Sequence, residues 1–126
     1  MPRGRIVEML ARVEQVSVET GMDVAVFGHA GDGNLHVNLL ANDDPNDPAV
    51  RAKMWSAAER IFHHTIELGG TLSGEHGIGL TKRDYVHLEQ SEQLIEWQRR
   101  WKRMWDPLNL LNPGKKLPAQ RAACSE

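Results

Sequence analysis

Two histidines, His29 and His36, flank a glycine-rich segment that contains the dipeptide Asp32-Gly33. Runs rich in β-forming residues precede and follow this dipeptide, a pattern typical of a β-hairpin. If the dipeptide forms a two-residue turn, His29 lies directly opposite His36, with the Cβ atoms about 4.5–5.5 Å apart. Two imidazoles at that separation can bind one divalent metal ion, with metal–nitrogen distances of about 2.0–2.1 Å. A longer turn would change the pairing but keep the histidines close.

The hairpin pattern also assigns its side chains to two faces, because successive strand residues point to opposite sides. The face predicted to pack on helices is uniformly apolar: Val24, Val26, Leu35, Val37 and Leu39. The opposite face carries Phe27, His29, His36 and Asn38. Since a half-buried hairpin does not require two histidines and an amide on its second face, we predict a metal-binding or catalytic role for it. The alternative is a hairpin with two incidental surface histidines.

A second cluster of reactive residues lies in the segment Ser-Gly-Glu-His-Gly at positions 73–77. Glu75 would complete a set of two histidines and one carboxylate, which leaves metal positions open for substrate or water. His76 is a candidate general base, because histidine exchanges protons near neutral pH. The alternative is a turn with a solvated Glu–His pair.

Helical periodicity predicts three helices, at residues 5–20, from Pro48 to about Leu68, and at 91–105. Asp47 and Ser91 are the predicted N-caps of the second and third helices. The tandem histidines at 63 and 64 are not counted as ligands, because at least one must face solvent. Residues 71–80 are predicted to form a short strand followed by a glycine-rich loop.

Apolar spacing indicates which helix faces are buried. The stripe predicted to be buried in the second helix consists of Met54, Ala58, Ile61, Phe62 and Thr65. The one predicted to face the core in the third helix consists of Leu94, Trp97, Trp101, Met104 and Trp105. The predicted fold class is α+β, a small antiparallel sheet with helices packed on one face.

Composition excludes several functional classes. The 126 residues carry a net charge of -2, which does not favour binding to nucleic acid or to anionic membranes. The single cysteine, Cys124, excludes a disulfide framework and indicates a reducing compartment. We find no apolar run long enough to span a membrane and no signal peptide, and therefore predict a cytoplasmic protein.

Three segments of the sequence, 27–36, 69–80 and 106–115, resemble the carboxyl-terminal signature of FAD-linked oxidases. This family includes D-lactate dehydrogenase, the glycolate oxidase flavin subunit and D-2-hydroxyglutarate dehydrogenase. The segments occur in the family's order with similar spacing, and the resemblance covers about residues 2–117. It implies a flavin-dependent enzyme that oxidises a D-2-hydroxy acid to a 2-oxo acid.

The resemblance also implies roles for individual residues. It implies that His29, His36 and Glu75 bind a divalent metal, zinc or manganese. It further implies that His76 is the catalytic base and that Asn38 contacts the substrate.

Other implied features concern the flavin and the missing part of the enzyme. Asn112 and Asn34 are implied to lie at the FAD, and Lys82 near the site. Residues 1–117 would then be the C-terminal part of a substrate or cap domain, with a disordered tail at 118–126. We expect FAD to be held mainly by a separate FAD-binding domain, the fragment alone to be inactive, and its exposed surface to support a homo-oligomer.

Two other functions stay open at this level. One is a metal-dependent hydrolase that uses His29, His36 and Glu75 around a water molecule, although the sequence contains no His-Glu-x-x-His motif. The other is a non-catalytic interaction module, in which the polar face or a sheet edge is only an interface.

Overall fold

The computed structural model describes residues 1–119, which fall into two compact units, residues 1–74 and the residues from Glu75 onward. The predicted tail at 118–126 therefore lies, beyond Ala119, outside the described residues. Among those described, no helix has the length and apolar character needed to cross a bilayer. The helices and strands are α1 (Ile6–Thr20), β1 (Asp23–His29), β2 (Asn34–Leu40), α2 (Pro48–Glu67) and α3 (Glu92–Trp105), with 3₁₀ segments at Arg3–Arg5 and Arg83–Leu88.

In the first unit, α1 and α2 pack on one face of the antiparallel β1–β2 hairpin, which confirms the predicted α+β class. The buried cluster comprises Met9, Val13, Val16, Met22, Ala57, Ile61 and Leu68. The apolar face predicted for the hairpin packs against this cluster through Val24, Val26, Leu35, Val37 and Leu39. Full burial of an aliphatic side chain such as Val16 contributes about 1.5–3 kcal/mol, so this face fixes which side of the hairpin meets the helices.

Local signals set the helix ends in this unit. Gly21 adopts a left-handed conformation with φ 62° and ends α1, as its position predicts. Asp47 caps α2, accepting a hydrogen bond from the backbone N–H of Ala49 at 2.7 Å. The stripe predicted for α2 is only partly correct. Ile61 is buried as predicted, but the other members of the stripe are only half-buried, and Ala57, which was not predicted, is buried. Ala57 was missed because its small side chain gives a weak hydrophobic signal in the sequence.

The predicted hairpin pairing is wrong. His36 lies opposite Phe27 and His29 lies opposite Asn34, so the two histidines are diagonal neighbours rather than direct partners. The strands end at residues 29 and 34, which leaves a four-residue loop in place of the predicted two-residue turn. Asp-Gly is compatible with both lengths, because Gly33, with φ 70°, suits the end of a longer loop equally well. The change in register is two residues, so both predicted faces are preserved.

Residues 71–80 do not contain the predicted short strand. The described chain forms bends and turns there, and its only sheet is the hairpin of two strands. Gly77 and Gly79 have φ values of 76° and 58°, which are incompatible with extended strand backbone. These φ values agree with the glycine-rich loop predicted for the end of the segment.

In the second unit, α3 and the preceding 3₁₀ segment bury Ile95 and Val86. Ser91 caps α3 as predicted, accepting a hydrogen bond from the backbone N–H of Leu94. The end of the described chain folds back onto the start of this unit, since the Lys116 N–H donates to the Gly79 carbonyl at 2.9 Å. These contacts give the unit its own small core.

The prediction that the tryptophan face of α3 points into a core is wrong. Trp97, Trp101 and Trp105 are 60%, 56% and 76% exposed, whereas Ile95 is fully buried. Periodicity identifies an apolar face, but it does not identify what covers that face. The described residues leave this face exposed.

Removing the α2 cap provides a test of the first unit. We expect Asp47→Ala to lower the free energy of unfolding by about 1 kcal/mol, because the Ala49 N–H loses its acceptor. Urea unfolding followed by far-ultraviolet circular dichroism measures the change. Asp43→Ala in the same loop is the matched control, and equal stability of the two variants would contradict the capping role.

Candidate active site

The polar face of the hairpin collects the side chains to which the sequence assigns chemistry. This face carries Phe27, His29, Asn34, His36 and Asn38, together with Asp23, Ala25 and Leu40. The opposite face is anchored on α1 and α2, so this face is turned away from the core of the first unit. The predicted grouping of the two histidines with Asn38 is therefore confirmed, although their pairing is not.

The imidazoles of His29 and His36 lie next to each other on this face. Their ring centroids are 5.7 Å apart with planes at 84°, and ring nitrogens of the two residues lie within 4.8 Å of one another. His29 is exposed and His36 half-buried. A shared ion at about 2.0–2.1 Å from each nitrogen requires the nitrogens to lie within about 4.2 Å. The nitrogens lie within 4.8 Å of one another, close to this limit, so the pair is compatible with a divalent metal.

Close packing joins the hairpin to the segment that precedes Glu75. A Cβ at Gly74 would lie 2.4 Å from Asn34 Oδ1, closer than real Cβ atoms come to other atoms, so glycine permits this approach. Gly28 has a similar role, since its Cβ would lie 2.2 Å from the Asn34 carbonyl oxygen. Glu75 follows Gly74 directly, and adjacent Cα atoms are about 3.8 Å apart. The Gly74 contact therefore fixes where the chain leading into Glu75 leaves the first unit.

Glu75 and His76 begin the second unit. Glu75 Oε1 lies 3.6 Å from His76 Nε2, and the side chains are 46% and 73% exposed. Both groups are thus accessible to a small molecule. Lys82 follows in the same unit, where partial burial lowers the pKa of its ammonium group.

Asn112 lines a pocket of about 610 Å³ in the second unit. Trp101, Trp105 and Leu111 form apolar walls, and Asn112 Oδ1 accepts a hydrogen bond from Lys115 Nζ at 3.1 Å. Pockets of about 300–1,000 Å³ with apolar walls and a few polar groups are typical of ligand sites. The prediction that Asn112 contacts a cofactor is compatible with this location and stays a prediction.

Asp106 organises the loop that carries Asn112, a role that we did not predict. This carboxylate is only 7% exposed and accepts hydrogen bonds from the backbone N–H groups of Leu110 and Leu111, each at 2.9 Å. The ion pair with Lys102, together with those N–H groups, lowers the pKa of Asp106 from 3.8 to about 2. The Asp-Pro dipeptide after a helix was a usable signal, because Asp commonly accepts hydrogen bonds from the following turn.

Replacing Gly74 tests the close approach to Asn34. We expect Gly74→Ala to destabilise the chain by about 1–3 kcal/mol, as overpacking does. In an Asn34→Ala background the same change should cost little, because the side-chain atoms that the new methyl meets are gone. Chemical unfolding of the native chain, the two single variants and the double variant gives the free energies of unfolding for the double-mutant cycle.

Gly31→Ala serves as the control for the glycine change, since a Cβ at Gly31 meets no atom within 4 Å. Equal losses from Gly74→Ala with and without Asn34 would show that the contact is unimportant.

The Asp106 carboxylate predicts a pH dependence with a defined sign. Its pKa is lower in the folded state, so its stabilising effect is present above about pH 4 and lost as the pH falls towards 2. Asp106→Asn should be less stable at pH 6 and lose less stability between pH 4 and 2. Unfolding monitored by tryptophan fluorescence measures both effects, with the exposed Asp84→Asn as the control.

Comparison with known proteins places the chain in a family. Residues 1–116 match the family described as FAD linked oxidases, C-terminal domain. The chain is 36% identical over 115 residues to glycolate oxidase subunit GlcD of Bacillus subtilis, covering 91% of this chain and 24% of that protein. It is 34% identical to D-2-hydroxyglutarate dehydrogenase of Stutzerimonas stutzeri, covering 89% and 25%, and 34% identical to D-lactate dehydrogenase of Anaerostipes hadrus, covering 91% and 24%.

The chain thus spans about a quarter of the length of these relatives. The family match extends over the hairpin, the Glu75–His76 segment and the Asn112 loop. Together with the predicted resemblance, it establishes that the chain belongs to the FAD linked oxidases and corresponds to their C-terminal domain.

Proposed function

We propose that this chain supplies the metal-binding and substrate-binding part of a flavin-dependent dehydrogenase that oxidises a D-2-hydroxy acid to a 2-oxo acid. The single observation that carries the proposal is the pair of adjacent imidazoles, His29 and His36, on the one hairpin face that the core leaves accessible. The family match and the names of the relatives support the reaction class.

In the proposed site, His29, His36 and Glu75 hold a divalent metal ion, zinc or manganese. Such an ion supplies Lewis-acid chemistry, which lowers the pKa of a coordinated hydroxyl. His29 and His36 would supply ring nitrogens as ligands, and Glu75 would supply a carboxylate oxygen. Two histidines and one carboxylate leave positions open for the carboxylate and 2-hydroxyl of the substrate.

The other polar residues bind substrate and move its proton. Asn38 lies on the histidine face, two residues beyond His36, and this position supports a hydrogen bond from its amide to the substrate carboxylate. His76 takes the proton of the 2-hydroxyl on a ring nitrogen, and its Nε2 lies 3.6 Å from the Glu75 carboxylate. FAD would supply the redox chemistry as the acceptor of the hydride from C2. Loss of this proton and hydride converts the alcohol carbon into a ketone.

FAD itself is proposed to bind mainly to a part of the enzyme outside this chain, with Asn112 and Asn34 as local contacts. The exposed apolar face of α3, which carries Trp101 and Trp105, supports docking to that FAD-binding part, since large exposed apolar patches mark interfaces. A second copy of this chain is the alternative occupant. The proposed location is the cytoplasm, which the single cysteine supports.

Metal titration tests the proposal. Calorimetric titration with Zn²⁺ or Mn²⁺ should give one ion per chain, and His29→Ala or His36→Ala should weaken binding by about tenfold or more. Acidic buffer should also weaken it, because protons compete with the metal for the ring nitrogens. His63→Ala on the exposed side of α2 is the matched control.

Substrate binding then separates the proposed function from its alternatives. With metal present, D-lactate should bind more tightly than propionate, which lacks the 2-hydroxyl. Esterase or peptidase turnover by the metal-loaded chain would favour a hydrolase, and the absence of metal binding would contradict the proposed site.

A further inference from the structure

Phe27 is a large apolar side chain on the hairpin face that carries His29 and His36. It is 58% exposed, so burial in the core does not explain its presence there. In the sheet register it lies directly opposite His36. Phe27 therefore lies beside one of the two histidines that we propose as metal ligands.

The rings of Phe27 and His36 are stacked. Their centroids lie 5.1 Å apart and their planes differ by 29°, within the range in which aromatic pairs attract. The edge of the His29 ring meets His36 at 84°. The His36 imidazole thus has a flat hydrocarbon ring on one side and the other proposed ligand next to it.

We propose that Phe27 is a positioning residue, which holds the plane of the His36 imidazole so that one ring nitrogen is presented beside that of His29. This inference rests on the proposed metal site. The torsion that rotates an imidazole about its Cβ–Cγ bond has broad minima, so an unsupported ring on a strand surface samples many orientations. Stacking restricts these orientations before the metal arrives, which removes part of the ordering entropy from the binding step.

A purely structural role for Phe27 is the competing explanation, because aromatic cross-strand pairs also stabilise sheets. The two roles predict different outcomes for two substitutions. Phe27→Val keeps an apolar, strand-forming residue but has no flat ring to stack on His36. Phe27→Tyr keeps the ring and should behave like the native chain. Leu40→Val, at the far end of β2 and also exposed, is the matched control for changes in the sheet.

The experiment combines zinc titration with carbon-13 relaxation of the His36 ring in the metal-free chain. We expect Phe27→Val to weaken zinc binding by about tenfold, the lower end of the effect of residues that support metal ligands. We also expect the His36 ring to be more mobile in Phe27→Val than in the native chain. Phe27→Tyr and Leu40→Val should have zinc affinities and ring mobilities close to those of the native chain. If Phe27→Val loses the hydrogen-exchange protection of the hairpin amides, the hairpin itself is disrupted. Phe27→Leu is then measured in its place.

Native zinc affinity in Phe27→Val, or an unchanged His36 ring mobility, would overturn the positioning role. Failure of the native chain to bind zinc would instead refute the metal site. In that case the relaxation measurement still decides whether Phe27 orders the imidazole, so the two failures are distinguishable.

Discussion

The candidate site depends on the alternation of side chains along the β1–β2 hairpin. The apolar side chains of the hairpin, such as Val24 and Val26, pack against α1 and α2. Because side chains alternate along a strand, the residues between them must point to the outer face. His29 and His36 are brought together by that constraint. The stability of the apolar face therefore maintains the arrangement of the histidines on the opposite face.

Features encoded by neighbouring residues could be predicted from the sequence. Gly21, Asp47 and Ser91 mark helix ends, since the backbone conformation or cap that each supplies is a local property. The face shared by His29 and His36 was also predictable, because it is unchanged by a register shift of two residues.

Features that depend on distant contacts could not be predicted. Asp32-Gly33 fits two loop lengths, and only the packed structure selects one. The contact between Gly74 and Asn34 joins residues far apart in the sequence. The glycine pattern indicated that another part of the chain approaches closely, but it could not identify which residue does so. The exposure of Trp101 was missed for a similar reason, because periodicity identifies an apolar helix face but does not show whether another part of the chain covers it.

The four-residue loop between β1 and β2 has a consequence for how this domain tolerates length changes. An extra residue within the loop can be absorbed there, since the loop ends are fixed by the His29–Asn34 pair. An extra residue inside β2 before His36 would instead exchange inward and outward positions beyond it, turning that imidazole towards the buried cluster and exposing Val37. Insertions and deletions during divergence should therefore be confined to residues 30–33, and the strands should keep constant length.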